Sequence, residues 1–177
     1  MNNIREIAQL GNPILRKIAQ PIAKIDNRQV QTLIDDLIAT LTPANGVGMA
    51  APQVAESQRV MIVASRPNLR YPTAPVMEET PMINPHIINH SDEIEKGWEG
   101  CLSIPGIRGF VPRYQAIEVE YTDRHGTQQR QELTGFVARI FQHEFDHLNG
   151  LLFIDRVEST RDLMTEDEYD KQIIQQL

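Results

Sequence analysis

Cysteine is almost absent: the chain of 177 residues carries one, Cys101. That excludes an internal disulfide framework and any zinc module built from several thiolates. Aromatic residues make up only 6% of positions. No apolar run approaches the roughly 20 residues that a membrane span requires, so no membrane partner is expected. Positive charge is in deficit, with 17 Lys plus Arg against 24 Asp plus Glu, a formal net charge of −7 and a pI near 5.2. A broadly basic face is therefore not expected, a local basic patch stays open, and no specific nucleic-acid partner is expected. Internal repeats and low-complexity tracts are also lacking. The opening residues Met1 to Glu6 have neither the apolar stretch of a secretory leader nor the Arg/Ser-rich character of a transit peptide, so the expected location is cytoplasmic.

What is present suits one domain covering residues 1–177, with 41% hydrophobic positions to build its core. Val30, Leu33, Ile34, Leu37, Ile38 and Leu41 form one apolar stripe at helical spacing, with Asp26 and Gln29 placed as a cap and Pro43 beyond the end. Val60 to Ala64 reads as a buried strand. Residues 65–81 hold four prolines and read as a surface loop, followed by a short strand over Met82 to Ile88. Ile117, Val119 and Tyr121 alternate with polar residues, and Asp123 to Gly126 is turn material that returns the chain through Thr127 to Leu133 as a hairpin. Helical spacing resumes from Phe136 to Leu148, with Gly150 as its stop. A C-terminal helical tail over 165–177 starts from a Thr165/Glu168 cap and carries Tyr169, Ile173, Ile174 and Leu177 as its stripe. Strands in the middle and helices outside, without βαβ alternation, predict an α+β domain in which antiparallel strands pack around a central helix, with an N-terminal amphipathic helix and a C-terminal helix.

That central helix contains Gln142-His143-Glu144-Phe145-Asp146-His147. Two histidines four apart share one helix face, so both imidazoles can reach one metal ion while Glu144 handles the proton of a nearby water. With 5 histidines in the chain, a chance match to this pattern has a probability of about 1%. A catalytic metal ordinarily takes a third protein ligand. Phe153 stands where the metzincin spacing requires a histidine, which removes that possibility. A downstream glutamate, as in thermolysin-like proteases, could only be Glu158, Glu166 or Glu168, and the last two sit where capping explains them. Upstream, Cys101 offers a thiolate, which with two imidazoles suits Zn²⁺ or Fe²⁺. A lone buried cysteine is also an ordinary small hydrophobe.

Gly46-Val47-Gly48-Met49-Ala50-Ala51-Pro52-Gln53, Glu99-Gly100-Cys101-Leu102-Ser103 and His143-Glu144-Phe145-Asp146-His147 together resemble, in order and spacing, the three signature motifs of the peptide deformylase family. The resemblance runs from about Leu10 to Asp155. It implies a metal-dependent hydrolase that removes the formyl group from the N-terminal formyl-methionine of newly made polypeptides and releases formate. It implies that Cys101, His143 and His147 bind the metal, physiologically Fe²⁺, with Zn²⁺, Ni²⁺ or Co²⁺ able to substitute. Glu144 is then the general base and acid, and Gln53 with the backbone N–H of Leu102 stabilises the oxyanion. Gly46, Val47, Gly48 and Gly100 would lie along an extended substrate, and Phe136 and Ile140, with Val47, would form the methionine pocket. Glu99 and Arg113 match positions that pair beneath the active site. Arg139 stands where the family commonly has an aliphatic residue, and Asp146 could fix an imidazole or a neighbouring group. His86, His90 and His125 are expected bystanders.

The partners implied are N-formyl-methionyl nascent chains, in a bacterial cytoplasm by default, with organelle and phage origins open. Some relatives dock on the ribosome through a basic C-terminal helix; the tail Thr165 to Lys171 is acidic, so any transient ribosome contact would not run through it. The competing readings are a small zinc-dependent peptidase using the same helix, a metal-binding protein without catalysis, and a hydrolase with Cys101 as nucleophile.

Overall fold

The computed structural model describes residues 3–67 and 71–176. After a 3₁₀ turn at Pro13–Arg16, helix α1 covers Arg28–Leu41 and buries Val30, Leu33, Ile34, Leu37 and Leu41. Asn27 rather than Asp26 is its cap, with the side-chain oxygen accepting from the Gln29 N–H at 2.8 Å. Asn27 is the residue with extended backbone just before the first turn, which is where a cap must stand. Thr42 caps the end with helical backbone and its N–H still on the Ile38 carbonyl, and Pro43 beyond it has no N–H to continue the ladder.

Strand β1 (Gly48–Ala50) leads through a 3₁₀ turn at Ala51–Val54 into β2 (Val60–Ser65), which is buried along its whole length. Then come β3 (Met77–His90), β4 (Ile94–Cys101), β5 (Ile104–Tyr114), β6 (Ala116–Thr122) and β7 (Gln128–Thr134). Helix α2 spans Gly135–Leu148, and β8 (Leu163–Thr165) precedes helix α3 (Glu166–Gln172). One sheet has the order β1-β2-β3-β6-β7 and a second the order β4-β5-β8, with every pairing antiparallel. The chain is thus of the mixed α+β class with antiparallel sheets and three helices.

Alternation along β2 positions the site. Val60 and Ile62 pack with Leu33, Leu37 and Leu41 of α1, whereas Met61 and Val63 pack with Ala138, Ile140 and Phe141 of α2. One strand with two buried faces therefore carries a helix on each side, as period-two geometry requires. Gly150, at φ 73°, takes a left-handed conformation just past the end of α2.

Three sequence expectations need correction. The loop assigned to 65–81 is shorter, because β3 begins at Met77 and runs for 14 residues, absorbing the short strand expected at 82–88. Pro81 fits because β3 pairs there with β2 alone, its pairing with β6 beginning only at Ile83, and Asn84 at φ 49° lies at a register shift. The hairpin β4–β5 was not read as strands at all, since its buried positions include Glu99, Arg108 and Arg113 instead of an apolar alternation. Helix α3 is only seven residues long and passes into a 3₁₀ turn at Ile174–Gln176; its cap is as expected, with Thr165 Oγ1 accepting from the Glu168 N–H. Leu177, the last residue of the expected stripe, lies outside the described residues.

Candidate active site

Two elements meet at the site. Helix α2 presents His143 and His147 one turn apart, while Cys101 closes β4 at the point where its pairing with β5 shifts register. The Cys101 Sγ lies 3.2 Å from His147 Nε2, and the ligand atoms of Cys101, His143 and His147 all fall within 4.8 Å of one another. His143 Nδ1–H donates to Glu99 Oε2 at 2.8 Å, which leaves its Nε2 for the cluster. The donor set fits a metal: a soft thiolate and two imidazoles converge, and one imidazole is oriented by a buried carboxylate.

Burial acts to raise the Cys101 thiol, but His147 and His143 beside it outweigh that and hold it well below the ordinary thiol range, as a thiolate. Burial pushes Glu144 up to about 7, with the neighbouring imidazoles pulling the other way. Its Oε2 is buried and, among the described residues, has no hydrogen-bond partner. Gly48 of β1 is pressed against this carboxylate: a Cβ there would stand 2.5 Å from Glu144 Oε1, so only glycine leaves the room.

Gln53 is 2% exposed in the 3₁₀ turn after β1. Its Oε1 accepts from the Ala50 N–H at 2.9 Å, which fixes the amide so that Nε2 faces the thiolate at 3.5 Å and Ser103 Oγ at 3.3 Å. Beneath the cluster, Arg113 donates to both oxygens of Glu99, at 2.9 and 3.0 Å, and to Asp146 Oδ2 at 2.6 Å. Asp146 also accepts from Arg156, so it anchors guanidinium groups and not an imidazole. Against the burial that would raise its carboxyl, Arg113 and His143 hold Glu99 far below the usual carboxylate range.

A cleft of about 300 Å³ opens beside the cluster, lined by Gly46, Val47, Gly48, Gln53, Glu99, Gly100, Cys101, Leu102, Phe136, Ile140, His143 and Glu144. The structure thus brings together nearly every candidate from the sequence, and Arg113 and His147 adjoin it from behind. Phe136 and Ile140 also pack on the core around α2, so they serve both purposes. His90 stacks on Tyr114 at 3.8 Å, away from the cluster.

Among the cleft residues that escaped the sequence, Tyr71 and Arg108 make the most telling contacts. Tyr71 packs its ring 4.4 Å from Phe136 and donates to the Trp98 carbonyl at 3.3 Å. It is the one aromatic residue in the proline-rich stretch 65–81, a signal that could have singled it out. Arg108, nearly buried beside Gly100, donates to Glu166 of α3 at 2.6 Å and so ties the C-terminal segment to the cleft. Nothing local in the sequence marks it.

A mixed sheet-and-helix fold with a thiolate–imidazole cluster and a buried carboxylate defines a metallohydrolase centre. Residues 4–162 match the family model described as polypeptide deformylase. The chain is 68% identical over 163 residues to peptide deformylase 2 of Nostoc sp., covering 92% of this chain and 91% of that one. It is 44% identical over 154 residues to peptide deformylase 1 of Bordetella pertussis, covering 87% and 88% respectively. Among solved structures, a class I type b peptide deformylase from Acinetobacter baumannii bound to Met-Ala-Ser superposes with a TM-score of 0.87 and 46% identity, over 89% of this chain and all of that one. This chain belongs to the peptide deformylase family.

Proposed function

We propose a division of labour among the cleft residues for the reaction of this family. The protein is a metal-dependent hydrolase that removes the N-formyl group from nascent polypeptides, and we take residues 1–177 as one catalytic domain. The observation that carries the assignment is the convergence of one thiolate and two imidazoles within 4.8 Å, next to a buried carboxylate with an unpartnered oxygen. Cys101, His143 and His147 hold the metal. Their thiolate–imidazole chemistry suits Fe²⁺, the ion we assign, and accommodates Zn²⁺, Ni²⁺ or Co²⁺. When bound, the metal supplies Lewis acidity that acidifies a water and polarises the formyl carbonyl.

Glu144 accepts the proton of the attacking water and returns it to the departing amine nitrogen. Gln53 and the Leu102 backbone N–H donate to the developing oxyanion. The Ala50 bond holds the Gln53 amide pre-aimed, so little reorganisation is needed when charge develops. The substrate lies extended along Gly46, Val47, Gly48 and Gly100, where backbone pairing is indifferent to sequence. Val47, Phe136 and Ile140 receive the methionine side chain. Glu99 and Arg113 fix the orientation of His143 and the seat of the Cys101 strand.

The working location is a bacterial cytoplasm, where formylated chains emerge. Glu166, Asp167 and Glu168 crowd the first turn of α3, so contact with ribosomal RNA does not run through this tail. The peptidase alternative is not favoured, because it leaves Cys101 and Gln53 without tasks.

The test is formate release from a formyl-Met tripeptide by protein loaded with Fe²⁺ under anaerobic conditions. Release with the peptide bonds left intact supports the assignment. Absence of release at one bound metal per chain, together with cleavage of casein, would replace it with the peptidase reading.

A further inference from the structure

Arg139 lies one helical turn before His143 on α2, yet its guanidinium is spent on the opposite element. Nη1 donates to the Val111 carbonyl at 2.8 Å, to Glu99 Oε1 at 3.0 Å and to the Gly97 carbonyl at 3.4 Å, and Nη2 donates to the Glu95 carbonyl at 2.7 Å. Three of these acceptors are backbone groups of the hairpin β4–β5, and the fourth is the carboxylate that orients His143. The side chain is only 12% exposed. A long cation committed to four acceptors is a brace, since the Nη1 donors turned inward on Val111, Gly97 and Glu99 would be left unpaired if it shifted.

The seat of this brace is Gly97. A Cβ at Gly97 would stand 2.8 Å from the guanidinium carbon of Arg139 and 2.9 Å from Nε and Nη2. The guanidinium therefore rests flat on a backbone patch that only glycine provides, two register steps from Glu99 on the strand that ends at Cys101. The ligand set is split between these same two bodies, with Cys101 on the hairpin and His143 and His147 on the helix. A shift of the hairpin against the helix would move the thiolate relative to the imidazoles without disturbing either element internally.

We propose that Arg139, seated on Gly97, is a positioning residue that fixes the Cys101-bearing hairpin against the histidine-bearing helix and thereby sets the geometry in which the three ligands meet. This rests on the assignment of Cys101, His143 and His147 as the metal ligands. Arg139 acts through Glu99 and the strand carbonyls and touches neither the reacting atoms nor the metal.

The experiment compares the parent protein with Arg139→Met, Arg139→Lys and Gly97→Ala, each reconstituted with Co²⁺. Three readouts are taken: the visible absorption bands of the bound Co²⁺, the rate of Co²⁺ loss to a chelator, and thermal melting of the metal-free chain. Arg139→Met should shift the bands and lose Co²⁺ about tenfold faster than the parent, in keeping with the usual effect of removing support behind a ligand. Arg139→Lys should fall between the two, because one ammonium reaches fewer of the acceptors. Gly97→Ala should reproduce the Arg139→Met spectrum by lifting the guanidinium off its seat, and the double variant should be no worse than Arg139→Met alone. Bands and loss rate within about twofold of the parent in Arg139→Met, whatever happens to melting, would overturn the proposal and leave Arg139 a merely structural residue. A parent protein that takes up no Co²⁺ would instead overturn the ligand assignment beneath it.

Discussion

Helix α2 has two unlike neighbours. Toward the five-stranded sheet it packs Ala138, Ile140, Phe141 and Leu148 against Met61, Val63, Met82 and Val119, an apolar cluster with the Glu144 carboxylate set against Gly48 of β1 at its edge. Toward the β4–β5 hairpin it meets Glu99, Arg113 and its own Asp146, with Arg139 and Arg156 joining from the same helix and the loop beyond it. The apolar side is tolerant in direction, because its free energy follows the area removed from water. The charged side is directional, since each guanidinium must find its carboxylate and carbonyls at fixed angles. On the ligand assignment we propose, stability comes mainly from one side of the helix and ligand geometry from the other. The division fits a site whose thiolate and imidazoles must meet from separate elements.

Glu99→Ala gives the largest expected effect. It strands Arg113 and Arg139 in a buried setting and removes the acceptor of His143 Nδ1. We expect a loss of about 3–5 kcal/mol in denaturant unfolding, and metal loss accelerated by about 10- to 100-fold. Unchanged metal retention would break the division of labour.

Met82→Ala tests the other side. Met82 of β3 is fully buried in the apolar cluster beneath α2 and takes no part in the charged network. The expected cost is about 3 kcal/mol of stability, with metal loss from the folded protein within about twofold of the parent. A large change in metal retention would show that packing and geometry are not separable here.

The smallest effect has the opposite sign. Burial raises Glu144 to about 7 from an ordinary 4.5, so folding is penalised wherever this carboxylate must be ionised in the interior. The penalty is absent below the unfolded value and complete above the folded one. In the metal-free protein, Glu144→Gln should therefore be more stable than the parent by about 1–2 kcal/mol near pH 8, with the gain vanishing toward about pH 4.5. Melting curves across that range check it. A gain that grows as the pH falls would contradict the assigned direction.

Legibility in the sequence follows the same two sides. Helix α1, strand β2 and the β6–β7 hairpin were readable because apolar periodicity carries them. The hairpin β4–β5 was hidden because its interior mixes Ile104 and Val111 with Glu99, Arg108 and Arg113, charges that look solvent-exposed until their partners are placed. The residues we assign to the site could nevertheless be picked out, since His143, Glu144 and His147 hold their relation within one helix and Cys101 and Gln53 lie in recognisable motifs. Tyr71 and Arg108 were not, because their neighbours Phe136 and Glu166 are distant in sequence and only the fold joins them. Arg139 could be seen as unusual from its position, but its acceptors are strand carbonyls that no sequence pattern displays.

In the mechanism we propose, Cys101, His143 and His147 hold the metal while Glu144 alone moves the proton. The most direct measurement is metal content and formate release of Glu144→Ala beside the parent, both loaded with Fe²⁺ without oxygen. One metal per chain in each, with turnover in the variant reduced by about 10²- to 10⁴-fold, is the predicted result. Turnover within a few-fold of the parent at equal metal content would contradict it.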